Sequence, residues 1–216
     1  LFSMLNQKPN IFQNKIKNSN LKKNDYVNNN IYGKRKIENK ENEITVIVKG
    51  KKGEEIKILD TLFKYPPSKV FINDSKENLG QVNKVNLTQD GENEITIIWD
   101  NPIQDCEYMF YECKSLISIN MSKFDSSLIT SMEGMFYGCS NLYSIDLTNF
   151  NTSSVTYVNS CFEHCYKLKN LNLSKFNTTS TQDFSRMFYN CSSLTSVDVS
   201  NFDTSSVTKM NGMFYN

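Results

Sequence analysis

The chain has 216 residues, of which 38% are hydrophobic and 22% charged, and its formal net charge is +1 at pH 7. This composition is typical of a globular protein with enough apolar material for a core, and the near-zero charge excludes a strong overall field toward nucleic acid or lipid. No stretch approaches the about 18 consecutive apolar residues of a membrane helix, and no signal peptide is visible.

Residues 1–42 form a basic segment rich in Asn and Lys. They carry eight Lys and one Arg against three acidic residues, a net charge of +6, whereas the remaining residues carry a net charge of −5. Their few apolar residues are scattered, so the segment cannot bury enough surface to offset its ordering entropy, and we expect disorder. A solvated linker is favoured over a tail that contacts anionic surfaces.

Residues 43–100 predict a small β-rich domain or N-terminal cap. β-branched and alternating runs predict strands at residues 43–49, 55–59, 69–73, 82–87 and 94–99. The first two strands flank a Gly-containing turn and the last two flank Asp90-Gly91, so we predict two hairpins. A single strand layer must pack on something, and the candidate is the open end of the repeats that follow, which need a cap.

The sequence of residues 101–216 repeats with a fixed period of 26 residues. Four full copies and a truncated fifth begin at Met109, Met135, Cys161, Met187 and Met213. Phe is the second residue of all five copies, and Cys is the fifth residue of the four full ones. A fixed period of this length indicates a stacked repeat architecture. A half-repeat between Trp99 and Tyr108 leads into the first full copy.

Each copy has a strand-like half. Leu116, Ile119, Met121 and Phe124 follow the pattern Leu-x-x-Ile-x-Leu-x-x-Phe, and its central alternation has the period of a strand. This pattern matches the strand motif of leucine-rich repeats.

The other half of each copy has helical spacing. Ile129, Met132, Met135, Phe136 and Cys139 fall on one face of a 3.6-residue helix. An Asp/Asn-Ser/Thr-Ser/Thr phrase before this face supplies N-cap residue types. We therefore predict an α/β repeat solenoid, leucine-rich-repeat-like, with parallel strands on one face and short helices on the other, preceded by the small β-rich cap.

The outward positions of the predicted strands form three polar columns. In a curved solenoid this face is concave and is the usual binding surface, although a solvated sheet face explains the same pattern. The columns lack the Trp, Tyr and Arg that usually dominate binding energy. The candidate partner-binding residues are Ser118, Asn120, Ser122, Ser144, Asp146, Thr148, Asn170, Asn172, Ser174, Ser196, Asp198 and Ser200.

Two other features invite a functional interpretation. Tyr111, Tyr137 and Tyr189 share one column that could bind partners or sugars, but shielding of the seam between copies is favoured. The spacing of Cys161, His164 and Cys165 resembles a metal site, yet two thiols and one imidazole do not supply four ligands. We expect no metal and no cofactor, and we interpret the six cysteines as reduced core residues.

No catalytic constellation is present in the sequence. The single His cannot be tied to a nucleophile, and no Gly-rich phosphate loop occurs. Carboxylates such as Asp146 and Asp198 recur once per copy rather than as a pair. We therefore expect a protein that is not an enzyme and does not bind nucleic acid.

The most regular copy carries a family resemblance. Residues 187–210 read Met-Phe-Tyr-Asn-Cys-Ser-Ser-Leu-Thr-Ser-Val-Asp-Val-Ser-Asn-Phe-Asp-Thr-Ser-Ser-Val-Thr-Lys-Met. The phrase resembles the BspA-like leucine-rich-repeat surface proteins and, more closely, the mycoplasma-type surface lipoprotein repeat family of that group. The resemblance covers residues 103–216, and the third copy departs from it at Cys161, Thr181 and Phe184. It implies a cell-surface or secreted protein of adhesion or interaction type without known catalytic residues.

Three functional hypotheses follow. The leading one is a non-enzymatic protein-interaction or adhesion module that binds a protein or glycan through the exposed strand face. It would reach a membrane only through an anchor outside this sequence, which we interpret as a fragment because it begins with Leu and ends within a repeat. The alternative is an intracellular leucine-rich-repeat scaffold that binds a protein partner. A third is the targeting arm of an enzyme whose catalytic domain lies elsewhere.

Overall fold

The computed structural model describes residues 42–216, so the predicted disorder of residues 1–41 lies outside the described part of the chain. The described residues contain strands and no helix, and hence no helix that could cross a membrane. The strands are β1 (Asn42–Gly50), β2 (Glu55–Lys57), β3 (Lys69–Ile72), β4 (Lys84–Asn86), β5 (Gly91–Trp99), β6 (Leu116–Asn120) and β7 (Ser144–Asp146).

Five strands form one sheet in the order β3-β5-β1-β6-β7, and β2 pairs with β4 in a separate two-stranded sheet. All pairs are antiparallel except β6 with β7, the strands of the first two repeats. β1 lies between β5 and β6, so the N-terminal strands and the repeats share one sheet. The division of the chain into domains at residue 100 stays a prediction.

Both predicted hairpins are wrong. β1 pairs with β5 along its whole length, from Asn42 opposite Trp99 to Gly50 opposite Gly91, and β2 pairs with β4. The two predicted turns do exist and lie side by side, since the Lys52 N–H donates to Asp90 Oδ1 at 2.8 Å. β1 and β5 pair over nine residues, and both strands bury alternate side chains. This long pairing determines the register more strongly than the local turn sequences do.

The predicted helices are also wrong, and with them the α/β solenoid with helices on one face. Residues 106–113 and their equivalents form consecutive turns. The Met109 N–H donates within the turn to Cys106 O (3.2 Å), whereas the Phe110 N–H donates to Met135 O of the next copy (2.8 Å). In an α-helix every N–H would instead bond to the carbonyl four residues earlier.

Left-handed residues explain why the helix does not form. The residue before the start of each copy and, in the four full copies, the fourth residue of the copy have φ between +55° and +68°. They are Tyr108, Glu112, Gly134, Gly138, Ser160, His164, Arg186, Asn190 and Gly212. A left-handed residue interrupts a right-handed helix, while a chain of turns still places an apolar residue inward every three or four positions. The apolar spacing therefore fits both structures.

The strand halves shorten along the repeats. β6 has five residues and β7 three, and the third copy contributes only an isolated bridge between Ser144 and Asn170. The turn halves are more regular, with parallel bridges that join Ser131 to Tyr157, Tyr157 to Asp183, and Asp183 to Lys209. Contacts between copies are thus mainly made by the turn halves.

Stacked aromatic rings and buried hydroxyls join the copies. The second residues of successive copies stack with ring centroids 5.3–5.8 Å apart: Phe110, Phe136, Phe162, Phe188 and Phe214. Thr152 Oγ1 accepts the Asn177 N–H (2.7 Å) and donates to Asn177 O (3.0 Å). The predicted N-cap phrase therefore links neighbouring turns instead of starting a helix.

Candidate functional site

The outward face of the five-stranded sheet extends across β5, β1, β6 and β7 and is mainly polar, with Ile47 as an apolar residue on it. In β1, Ile44, Val46 and Val48 are fully buried, so Thr45 and Ile47 point to the opposite face because side chains alternate along a strand. Ile47 pairs with Ser118 and Thr45 with Asn120. The rows continue into β7, where Ser144 lies opposite Ser118, and Asp146 opposite Asn120.

These rows form a shallow groove of about 410 Å³, a volume within the range of ligand sites. Its lining consists of Thr45, Ile47, Glu94, Ser118, Ile119, Asn120, Ser144, Ile145 and Asp146. Four of the twelve sequence-predicted residues meet here, namely Ser118, Asn120, Ser144 and Asp146. Sequence reasoning missed Thr45, Ile47 and Glu94, because their position depends on the pairing of β1 with both β5 and β6.

The other predicted site residues lie outside the groove. Asn170 continues the row beyond Ser144 through its bridge. Six residues lie in the third polar column or farther along the repeats and are exposed: Thr148, Asn172, Ser174, Ser196, Asp198 and Ser200. Ser122, also in the third column, is half-buried and its N–H donates to Asn120 Oδ1. The structure therefore brings predicted residues of the first two copies together in one groove and places those of the later copies outside it, with binding itself still a prediction.

The middle polar column also shapes the backbone. Asn120 Oδ1 accepts the Ser122 N–H at 2.9 Å, and Asp146 Oδ1 accepts the Thr148 N–H at 2.9 Å. Equivalent bonds join Asn172 to Ser174 and Asp198 to Ser200. Hydrogen bonds from the Thr148 side chain and backbone lower the pKa of Asp146, so this groove residue is a carboxylate at neutral pH.

The groove is negatively charged. Among the described residues, its lining contains two carboxylates, Glu94 and Asp146, and no Lys or Arg. Glu43 on β1 is paired with Lys123 at 2.8 Å, whereas Glu94 takes part in no ion pair of the described residues. Negative charge in the lining favours a ligand with positive charge.

The tyrosine column of the turn halves is largely occupied by its own contacts. The rings of Tyr111 and Tyr137 stack at 4.7 Å, and those of Tyr189 and Tyr215 at 5.0 Å. The third copy has the buried Glu163 in this column, and its Oε1 pairs with Arg186 Nη1 at 3.3 Å. Because ring faces lie against each other, the geometry supports shielding of the seam more than ligand stacking.

The cysteines lie in the core. All six are free and buried, and the thiols of Cys139, Cys165 and Cys191 donate to Phe carbonyls of the preceding copy at 2.9–3.1 Å. Burial raises the pKa of the Cys113 thiol to about 12. In residues 42–216 no group of three or more His, Cys, Asp or Glu is arranged to hold a metal.

Comparison with known proteins identifies one family. Residues 104–216 match the model of a family described as Mycoplasma protein of unknown function, DUF285. No curated protein and no solved structure gives a significant match. The match supports the mycoplasma part of the resemblance and does not confirm the BspA-like leucine-rich-repeat part. It includes all four full copies and excludes β1 to β5.

Proposed function

The chain belongs to this family of Mycoplasma proteins of unknown function, and we propose that it is a non-enzymatic interaction or adhesion module of a cell-surface or secreted protein. It binds a protein or glycan partner through the exposed strand face. The surface location is supported by the resemblance of residues 187–210 to the mycoplasma-type surface lipoprotein repeat family, the part of the resemblance with which the family match agrees.

The observation that carries this proposal is the groove on the outward sheet face. Ile44, Val46 and Leu116 on the inward face are fully buried, so the inward face forms the core. Thr45 and Ser118 on the outward face contribute to no such packing. Because these outward side chains are not part of the core, the concave surface that they form is available to bind a partner.

The chemistry of the face predicts modest affinity per contact. Apart from its isoleucines, the side chains of its lining are small hydroxyls, amides and carboxylates, and no described residue of the lining is aromatic or Arg. The exposed polar residues of the later copies, centred on Asn172 and Asp198, lengthen the surface. A partner would therefore be held by several weak contacts along the repeats rather than by one deep pocket.

A steric variant tests the proposal. The full chain is applied to arrays of extracellular matrix proteins and glycans, and Ser144→Arg fills the groove with a long side chain. We expect this variant to bind at least about tenfold more weakly. Ser154→Arg is the matched control, because Ser154 is exposed and lies outside the groove. Equal loss in both variants, or in neither, would rule out the strand face.

One observation favours a second candidate, an intracellular scaffold that binds a protein partner. The six thiols are unpaired, as is common in reducing compartments. Protease treatment of intact cells distinguishes the two: a surface module is degraded, whereas an intracellular scaffold is protected until the cells are lysed.

A further inference from the structure

We propose that the groove between Glu94 and Asp146 binds an extended, cationic peptide segment of a protein partner. This inference rests on the proposed function of the strand face and specifies the chemistry of its partner. Three features of the groove carry it: the separation of its carboxylates, its apolar floor, and a lining in which none of the residues that the structure describes is cationic or aromatic.

The separation of the two carboxylates fits a peptide that crosses the strands. Glu94 lies in β5 and Asp146 in β7, with β1 and β6 between them. Neighbouring strands are about 4.8 Å apart, and Asp146 lies two residues along the strands from the row that joins Glu94 to Ser144. The two backbone positions are therefore about 16 Å apart. An extended peptide covers this distance in about four to five residues. Lys or Arg residues four positions apart can reach both carboxylates at once, because their side chains are long and flexible.

The floor between the carboxylates accepts the rest of such a peptide. Ile47 is half-buried and pairs with Ser118, which places an apolar surface beside hydroxyl groups. The aliphatic stem of a Lys or Arg side chain packs on apolar surface while its charged end reaches a carboxylate. Ser118, Ser144 and the Asn120 amide can exchange hydrogen bonds with the peptide backbone.

The charge of the groove disfavours the other ligand classes. An acidic glycan or a phosphate-bearing ligand would be repelled by Glu94 and Asp146, since no cation lines the groove within residues 42–216. A neutral sugar would find hydroxyl and carboxylate partners there but no aromatic ring from the same part of the chain. Its contacts would replace equivalent ones to water, for a small net gain.

The test uses the full chain and a defined probe. A fluorescein-labelled decapeptide of Ser and Val with Lys at positions 3 and 7 is titrated by fluorescence anisotropy, beside the same peptide with Glu at both positions. We expect the Lys peptide to bind more tightly than the Glu peptide. Its affinity should fall as salt is added, because salt shortens the distance over which charges interact.

Two double variants with the same charge change locate the site. Glu94→Gln/Asp146→Asn removes both groove charges, and the amide introduced at position 146 retains the acceptor for the Thr148 N–H, as Asn120 does for Ser122. We expect about fivefold weaker binding of the Lys peptide. The control Glu77→Gln/Asp203→Asn alters exposed residues outside the groove and likewise keeps the turn bond to the Ser205 N–H. It should bind as the parent does.

The outcomes separate this inference from the proposed function. Equal binding by the two double variants, or equal binding of the Lys and Glu peptides, overturns the cationic-peptide inference. Binding of a neutral oligosaccharide that is lost in Ser144→Arg but unaffected by salt would assign the groove to glycans instead. If Ser144→Arg changes the binding of no protein, glycan or peptide, the proposed function itself fails.

Discussion

Replacing Gly138 by Ala distinguishes the turn architecture from a helix by the sign of the stability change. In a helix interior this replacement stabilises by about 1 kcal/mol, because Ala has the higher helix propensity. In the structure Gly138 has φ +68°, where a side chain with a Cβ costs roughly 1–2 kcal/mol. The added Cβ would also lie 3.0 Å from Glu112 Oε1, a flexible group that can move aside. We expect Gly138→Ala to lower the free energy of unfolding by about 1 kcal/mol.

Gly134→Ala should be more harmful than Gly138→Ala. Gly134 has φ +55°, and its Cβ would lie 2.8 Å from two atoms of the Tyr108 ring. That ring is held by a 2.8 Å hydrogen bond from Tyr108 Oη to Glu133 Oε1, so it cannot move without loss. We expect the free energy of unfolding to fall by about 2 kcal/mol, the sum of backbone strain and displacement of the ring.

Urea unfolding measures both changes. Trp99 is the single tryptophan of the chain and is 4% exposed, so its fluorescence reports loss of the core. Gly138→Asn is the control, because Asn tolerates the left-handed region and Asn190 occupies the equivalent position of the fourth copy. Gly138→Asn should lower the free energy of unfolding by less than Gly138→Ala does. An increase in stability on Gly138→Ala would refute the turn architecture and restore the helix.

Three further variants or conditions test the core and the groove. Phe162→Ala, in the middle of the ring stack, should lower the free energy of unfolding by about 3–5 kcal/mol in urea, through lost burial and the cavity left behind. The pKa of Asp146 is lower in the folded state, so its stabilisation is present above the ordinary carboxyl pKa of 3.8 and is lost as pH falls through the lower folded value. Asp146→Asn should therefore flatten the acid limb of a stability profile. The buried cysteine thiols, whose pKa values burial raises, should stay unreactive toward a thiol reagent at about pH 8, whereas all six should react after unfolding.

Each of these expectations has a contrary result. A loss below about 1 kcal/mol for Phe162→Ala would mean that the stacked rings are not a packed core. An unchanged acid limb in Asp146→Asn would show that the Thr148 bonds do not favour the ionised form. Rapid modification of several native thiols would show that the turn halves open readily.

The repeats and the positions of β6 and β7 could be predicted from the sequence because both depend on local patterns, whereas the strands predicted for the third and fourth copies do not form. The 26-residue period and the alternation around Ile119 need no knowledge of distant residues. Strand partners could not be predicted in the same way. The turn signal predicts that β1 pairs with the nearest strand, β2, whereas the long ladder with β5 brings together residues about fifty positions apart.

The helix prediction was wrong because an α-helix and a series of consecutive turns place apolar residues at the same spacing. A signal against it was present in the sequence: Gly134, Gly138 and Gly212, together with Asn190, recur at the two left-handed positions. Glycine and Asn are the residues that adopt this conformation most easily. The same positions hold Tyr108, Glu112 and Arg186 in other copies, so the signal is incomplete and easily overlooked.

The candidate site was predicted only in part, because the sequence shows alternation within a strand but not which strands are neighbours. Ser118, Asn120, Ser144 and Asp146 follow from alternation within the repeats, and the structure places them together in the groove. Glu94 and Ile47 complete the groove from β5 and β1. Their contribution depends on the order of strands in the sheet, which no local pattern specifies.

The most direct test of the strand-face account is an NMR titration of the isotope-labelled chain with the Lys peptide. The account predicts that amide shifts change for residues of the groove, above all Thr45, Ile47, Ser118 and Ser144, and remain constant at Tyr137 and Tyr189 in the turn halves. Shifts confined to the turn halves, with the groove unchanged at saturating peptide, would contradict it.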